Sequence, residues 1–265
     1  KHKMKNIKFN TFIKNYNRIY PNNKLSEKDI NWLDWFIGFT EGDGSLMGYT
    51  KNNNTVSYVL TQKEIVIIEE VYNKLKLGHT KHFYSPSGEY KFSRLIIGDK
   101  NQIFLLYLLF NGNLHLQHRI DQLINWYNIL SIMPKFDITK FNLDSIPKPI
   151  TTPIKVTLDN AWLSGFTDAE GCFNITWVKK MYPKKRFILD QKDAKELLLH
   201  VKYLFLNCGT VYSRKTKNGG MYRLDIFYNK KQIKSYTVLT SYFNFYTLKT
   251  KKLLDYKYWI HFHKS

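Results

Sequence analysis

The chain has 265 residues, room for one large domain or two of about 130, and its 43% hydrophobic and 16% aromatic content excludes a disordered tail. Its net charge of +20, from 41 Lys+Arg against 21 Asp+Glu, points to a polyanionic partner, because each neutralised phosphate releases a counterion. Two cysteines, Cys172 and Cys208, exclude a disulfide framework and a CxxC zinc pair and fit a reducing compartment, while the longest apolar run, Ile103 to Phe110, is too short to span a bilayer.

In chain order, Lys1 to Tyr20 is basic, aromatic and free of acids. It reads as an ordered arm or a remnant of a longer reading frame, and not as a secretory signal. An apolar helix follows and ends at Glu41-Gly-Asp-Gly44. Strands Ser45 to Lys51 and Thr55 to Thr61 flank a turn at Asn52-Asn-Asn54. Apolar residues Ile65, Ile68, Val71, Tyr72 and Leu75 then mark a helix. A second hairpin (His79 to Tyr84, Glu89 to Ile97) and more helix complete the unit. After the Pro-rich stretch Pro134 to Pro153 the same order restarts. A helix ends at Asp168-Ala-Glu-Gly171, and strands Cys172 to Lys179 and Arg186 to Asp190 flank a turn at Tyr182-Pro183. A helix carries Leu197, Val201, Leu204 and Phe205, and a hairpin pairs Thr210 to Lys215 with Met221 to Tyr228. The expectation is an α+β protein of two αββαββα modules, each an antiparallel sheet backed by helices. They occupy residues 1–133, with the basic arm, and 155–265, joined by a linker at 134–154.

The repeat is visible in the letters. Trp35-Phe-Ile-Gly-Phe-Thr-Glu-Gly-Asp-Gly-Ser45 and Trp162-Leu-Ser-Gly-Phe-Thr-Asp-Ala-Glu-Gly-Cys172 share Gly-Phe-Thr-acid-small-acid-Gly, with Asp43 and Glu170 127 positions apart. Gln62-Lys-Glu64 returns as Gln191-Lys-Asp193, and Arg94-Leu-Ile-Ile97 as Arg223-Leu-Asp-Ile226, both at an offset of 129.

Gly38 with Gly42, and Gly165 with Ala169, lie four apart, on one helix face, where small residues let two backbones approach. Gly44 and Gly171 suit left-handed helix caps. The acid before each, Asp43 or Glu170, then sits at the negative end of a helix dipole. Two such carboxylates meeting at one point repel unless a cation intervenes, and hard oxygen donors suit Mg2+.

Here the chain resembles the LAGLIDADG homing endonucleases in their single-chain, two-repeat form. Phe36 to Gly44 and Leu163 to Gly171 fall on the nine-residue motif. The resemblance implies catalytic metal on Asp43 and Glu170, backbone carbonyls of Gly42 and Ala169 as further ligands, and Mg2+ as the metal, with Mn2+ or Ca2+ substituting in binding. It gives Glu41 and Asp168 a structural role. Gln62, Gln191, Arg119 and Lys252 become the polar groups near the scissile phosphates, with His118 and Lys251 as rivals for the basic places. It also implies a monomer with internal pseudo-two-fold symmetry, encoded in an organellar intron. A composition heavy in Lys, Asn, Ile, Tyr and Phe fits AT-rich coding DNA and hints at an organelle, and the expected location is the matrix side of the mitochondrion or of another organelle.

A β-ribbon fits the major groove of double-stranded DNA, and two such sheets cover roughly 20 base pairs. Sheet parity aims Ser45, Met47, Tyr49, Lys51 and Asn53, then Thr55, Ser57 and Val59, at the groove. In the second module it aims Cys172, Asn174, Thr176, Val178 and Lys180, then Arg186 and Ile188. The later hairpins add Lys81, Arg94, Tyr212, Arg214, Arg223 and Asp225. Leu46, Phe173 and Ile175 should face the helices. The rival reading is an RNA maturase of the same fold, whose partner is intron RNA. A DNA binder that has lost catalysis and a nuclease embedded in an intein fit the same residues less closely. No membrane partner is expected.

Overall fold

A computed structural model describes residues 8–51, 53–134, 136–216, 219–228 and 230–262. Residues 1–7 of the basic arm and Asn52 of the first turn lie outside the described residues.

The chain forms two compact units. The first is Lys1–Leu33 with Asp43–Ile154; the second is Asp34–Gly42 with Lys155–Ser265. In the first unit, α1 (Asn10–Ile19) packs on α4 (Lys100–Phe110). The buried Tyr16 of α1 donates its hydroxyl to the carbonyl of Leu75, at the end of α3 (Ile65–Leu75). The sheet runs β1 (Gly44–Tyr49), β2 (Thr55–Gln62), β4 (Tyr90–Ile97), β3 (His79–Tyr84), antiparallel throughout. Alternation decides its faces: Leu46, Val56, Tyr58, Leu60, Leu95 and Ile97 are buried beneath helices, and the intervening residues face outward. Helix α4 is apolar on every side and buried from Ile103 to Phe110; its N-terminus is capped by Asp99, which accepts from the amides of Asn101 and Gln102. A turn at Gly112, with φ +80°, leads into α5 (Gln117–Ile132), so the module closes with two helices. The Pro-rich stretch lies on this unit: Tyr107 donates to Pro147 O, Asn111 to Lys148 O, and the Ile154 amide to Leu114 O.

The second unit repeats the plan with α6 (Trp162–Glu170), β5 (Gly171–Val178), β6 (Tyr182–Lys192), α7 (Lys195–Leu204), β7 (Thr210–Arg214), β8 (Met221–Phe227), α8 (Ile233–Phe245) and α9 (Lys252–His261). Its sheet order is β5-β6-β8-β7, the counterpart of the first. Phe173, Phe187, Leu189, Leu224 and Ile226 face inward, and Phe173 lies edge-on to Phe243, Tyr256 and Trp259.

Three local expectations are corrected. Gly171 is not a left-handed cap: its backbone is extended, with φ −89° and ψ 164°, and Gly44 likewise opens its strand directly. Helix runs straight into strand, so no reversal is needed. Glycine is required for space, since a Cβ on Gly171 would lie 2.4 Å from Thr167 Cγ2. The β5–β6 hairpin turns at Lys179 to Met181, with Lys179 and Lys180 left-handed (φ 52° and 56°), and not at Tyr182-Pro183. Val178 pairs with Tyr182, so the loop is the three residues Lys179 to Met181, and the Met181 amide donates to Val178 O across the two left-handed lysines. Pro183 is tolerated because it pairs only with Trp177 on β5, whereas β8 begins its pairing at Arg186. Lys180 is therefore a turn residue, and Lys51 and Asn53 likewise lie beyond the end of β1 at Tyr49.

Candidate active site and nucleic-acid face

The first motif lies on α2 (Ile30–Asp43) and the second on α6. Within the second unit, the Asp34–Gly42 stretch of α2 meets α6 at backbone distance. A Cβ on Gly38 would come 2.0 Å from Trp162 O, and one on Gly165 would come 1.9 Å from Trp35 O. No L side chain fits either place, which is the physical reason for the small residues. One turn on, a Cβ on Gly42 would come 2.2 Å from Ala169 Cβ.

The first acid of each motif is an internal anchor. Glu41 is fully buried and accepts from the indole nitrogen of Trp162 at 2.6 Å. Asp168 accepts from the indole nitrogen of Trp35 at 2.8 Å, and also from Lys249 N, Thr250 N and the Thr250 hydroxyl. Burial raises the carboxyl of Asp168 above the ordinary carboxylate range, against the lowering pull of those four donors. The start of α6 is fixed by Tyr242, whose hydroxyl accepts from Ser164 N and donates to Asn160 O.

The second acid of each motif ends its helix and is half-buried. Asp43 accepts from Gln62 Nε2 at 2.5 Å, which joins two of the expected site residues directly. Glu170 closes α6. Beside it Lys252, the first residue of α9, donates Nζ to the carbonyls of Thr167 (3.3 Å), Asp168 (2.7 Å) and Ala169 (3.0 Å). An ammonium on the last carbonyls of a helix is favoured by the helix dipole. Asp168 fixes the approach to it, because its bonds to Lys249 and Thr250 hold the loop before α9. Gln191 is buried on β6, at the place of Gln62 on β2. Arg119 is buried in the first turn of α5 and donates to Gln122 Oε1 at 3.0 Å; His118 and Lys251 are exposed.

The donors suit a hard divalent cation. Each motif presents one carboxylate and adjacent main-chain carbonyls, all oxygen. Among the described residues no group of three or more His, Cys, Asp or Glu could hold a metal ion.

The outward face of the first sheet carries Ser45, Met47, Tyr49, Thr55, Ser57, Val59, Lys81 and Arg94, as parity required. Arg94 donates to Thr61 at 3.2 Å and lies over Phe83 and Phe92, 5.0 and 5.2 Å from the ring centroids; Lys81 lies over Phe83. The outward face of the second sheet carries Cys172, Asn174, Thr176, Val178, Arg186, Ile188, Tyr212, Arg214, Arg223 and Asp225. Ile188 has the expected side but is buried at 5% exposure, between Cys172 and Asp225 on the neighbouring strands, so it is not an open contact. Arg186 pairs with Asp225, while Arg214 and Arg223 share Asp190.

Trp35 and Trp162 as the partners of the buried acids, and Asp190 as the partner of two arginines, emerge only from the structure. The tryptophans stand at one place in both repeats, which was a usable signal. A strand-end aspartate offered none.

Residues 163–263 match the family model described as LAGLIDADG endonuclease. A relative from Neurospora crassa, probable intron-encoded endonuclease 4, is 32% identical over 256 residues, covering 91% of this chain and 41% of the relative. The intron-encoded RNA maturase bI4 of Saccharomyces cerevisiae is 28% identical over 195 residues, covering 73% of this chain and 27% of the relative. The chain thus spans less than half the length of either. Among solved structures, the LAGLIDADG homing endonuclease I-GzeII in complex with its DNA target aligns with a TM-score of 0.62 at 17% identity, over 86% of this chain and 88% of that one. I-LtrWI bound to target DNA aligns with a TM-score of 0.61 at 20% identity, over 87% and 89%. At these identities the structural likeness is one of fold.

Proposed function

We propose, for a chain that belongs to the LAGLIDADG endonuclease family, a site-specific homing endonuclease that makes a metal-dependent, staggered double-strand break in a target of roughly 20 base pairs. The observation that carries this reading is the duplicated motif, in which each helix delivers a half-buried carboxylate, Asp43 or Glu170, at its C-terminal end. Asp43 and Glu170, with the carbonyls of Gly42 and Ala169, would hold Mg2+, which would supply Lewis-acid stabilisation and a more acidic water; Mn2+ or Ca2+ would substitute in binding. Gln62 orients the Asp43 carboxylate by donating to one of its oxygens. Lys252 places a positive charge beside Ala169, where it offsets charge on a phosphate. The outward faces of the sheets bind the major groove, and the excess of lysine and arginine supplies the sequence-independent attraction. The protein acts as a monomer in the mitochondrial matrix.

The test is a cleavage selection on a library of intron-insertion-site DNA, with Mg2+ and with EDTA. Metal-dependent double-strand cuts at one long sequence are expected. The similarity to an RNA maturase favours a second reading, a splicing cofactor that binds intron RNA. No cutting under any metal, with tight binding to a structured intron RNA, would establish that reading instead.

A further inference from the structure

The second sheet holds a set of ion pairs on its outward face. Arg186 donates Nε and Nη2 to the two carboxylate oxygens of Asp225. Arg223 donates Nε and Nη2 to the two oxygens of Asp190, at 2.7 and 2.6 Å. Arg214 reaches the same Asp190 with Nη1 at 2.7 Å. These groups are one-seventh to two-fifths exposed, so the network lies in the face and not beneath it.

The geometry of each pair has a chemical consequence. A guanidinium has five donors in a rigid plane. When the Nε side is taken by a carboxylate, the far end, Nη1 with the second hydrogen of Nη2, forms a two-donor fork with its plane fixed; at Arg223 the Tyr212 side chain on the facing strand also hydrogen-bonds the guanidinium, and a base edge would take its place. That fork matches the O6 and N7 acceptors of guanine in the major groove. It opposes adenine, which offers N7 but puts an N6 donor in the place of O6. The carboxylate has lone pairs left for the N4 donor of a cytosine. An aspartate on this face works against attraction to phosphate, so in a chain of net charge +20 the acids hinder general DNA affinity. What they supply is orientation.

We infer that Asp190 and Asp225 are specificity-determining positioning residues, which clamp Arg223 and Arg186 to read two guanines in the half of the target that the second sheet contacts. The inference rests on the endonuclease reading and gives that site its base preference. Asp190 and Arg186 are four residues apart on β6, about 13 Å at strand spacing, so the two guanines belong to separate base pairs within one groove segment. Arg214 shares an acid already engaged by Arg223 and is 41% exposed at its side chain, which leaves it for backbone contact.

The experiment is selection of bound sites from a randomised double-stranded DNA library, with the full chain in Ca2+, for the wild type and for Asp190→Ala, Asp225→Ala and Asp190→Asn. The wild type should prefer guanine at least about tenfold at two positions of one half-site. Asp225→Ala should reduce that preference to below about threefold at one of them only, and Asp190→Ala at the other. Affinity for unrelated DNA should rise in both alanine variants, a change that damage to the fold would not produce. Asp190→Asn keeps the shape of the clamp, and should relax the same position as Asp190→Ala. Variants that select the wild-type sequence unchanged, or that lose preference across the whole site together with affinity, overturn the inference while the endonuclease reading stands. A wild type that selects no DNA sequence overturns both.

Discussion

The two sheets are built alike and finished differently. Strand order, register and the buried alternation of the first recur in the second. Their outward faces do not match. None of the strands β1 to β4 contains an acid, and the cations Lys81 and Arg94 rest on the rings of Phe83 and Phe92. The second face sets Asp190 and Asp225 among Arg186, Arg214 and Arg223. A cation on a ring keeps its full charge, whereas a cation clamped by a carboxylate has fixed direction and a largely cancelled charge. On the proposed reading, the first face gives tolerant attraction, and the second, where Lys184 also lies over the Phe227 ring, adds oriented reading.

The largest effects should come from what the two halves share. Asp43→Asn and Glu170→Gln should each lower the cleavage rate by about a hundredfold or more while leaving DNA binding within a few-fold, measured by single-turnover cutting and by titration without active metal. If only one variant loses activity, the mixed Asp and Glu of the two motifs are not equivalent, and the comparison extends to catalysis. Next in size is Gly165→Val. With the Trp35 carbonyl 1.9 Å from the new Cβ, rotamer choice cannot relieve the clash, so stability should fall by about 3 kcal/mol, visible in denaturant midpoints. Asp168→Ala removes the acceptor of four donors and should cost a similar or smaller amount, about 2–3 kcal/mol. It should also slow cutting, because the loop that leads into Lys252 would be displaced. The smallest effect discriminates the faces themselves. Arg94→Ala should lessen the slope of log affinity against log salt by about 1, because a full charge is lost. Arg186→Ala should change it by clearly less, because Asp225 already balances that charge. Equal slopes would remove the distinction between the faces.

Much of this was legible in the letters, for a physical reason. Alternation in a half-buried strand is a strict period of two, so placing Leu46 inside fixed Ser45, Met47 and Tyr49 outside. The glycines of the motif were legible because only close backbone approach requires them at both Gly38 and Gly165. Turn position was not: the lysines at 179 and 180 are left-handed against their ordinary preference, and the neighbouring Pro183 is the stronger local turn signal. The left-handed caps failed because a glycine before a strand can serve volume as readily as φ. Partners of buried acids and of surface arginines depend on strand pairing over long separations, and a single sequence carries no local sign of that. The charge network on the second sheet belongs to this class: β6 meets β8 across the whole of α7 and β7.

The glycine contact between α2 and α6 sets an order of events during synthesis. The compact unit that holds α6 includes Asp34–Gly42, made more than a hundred residues earlier. The indole of Trp35 meets its acceptor Asp168 across 133 positions. A nascent chain must hold the apolar stretch from Trp35 to Phe39 without its final partner until the second half has left the ribosome. Contacts of such long range close slowly and leave sticky surface exposed in the interval. A chain cut in the 134–154 stretch and expressed as two pieces would leave the later piece without the helix segment that completes it.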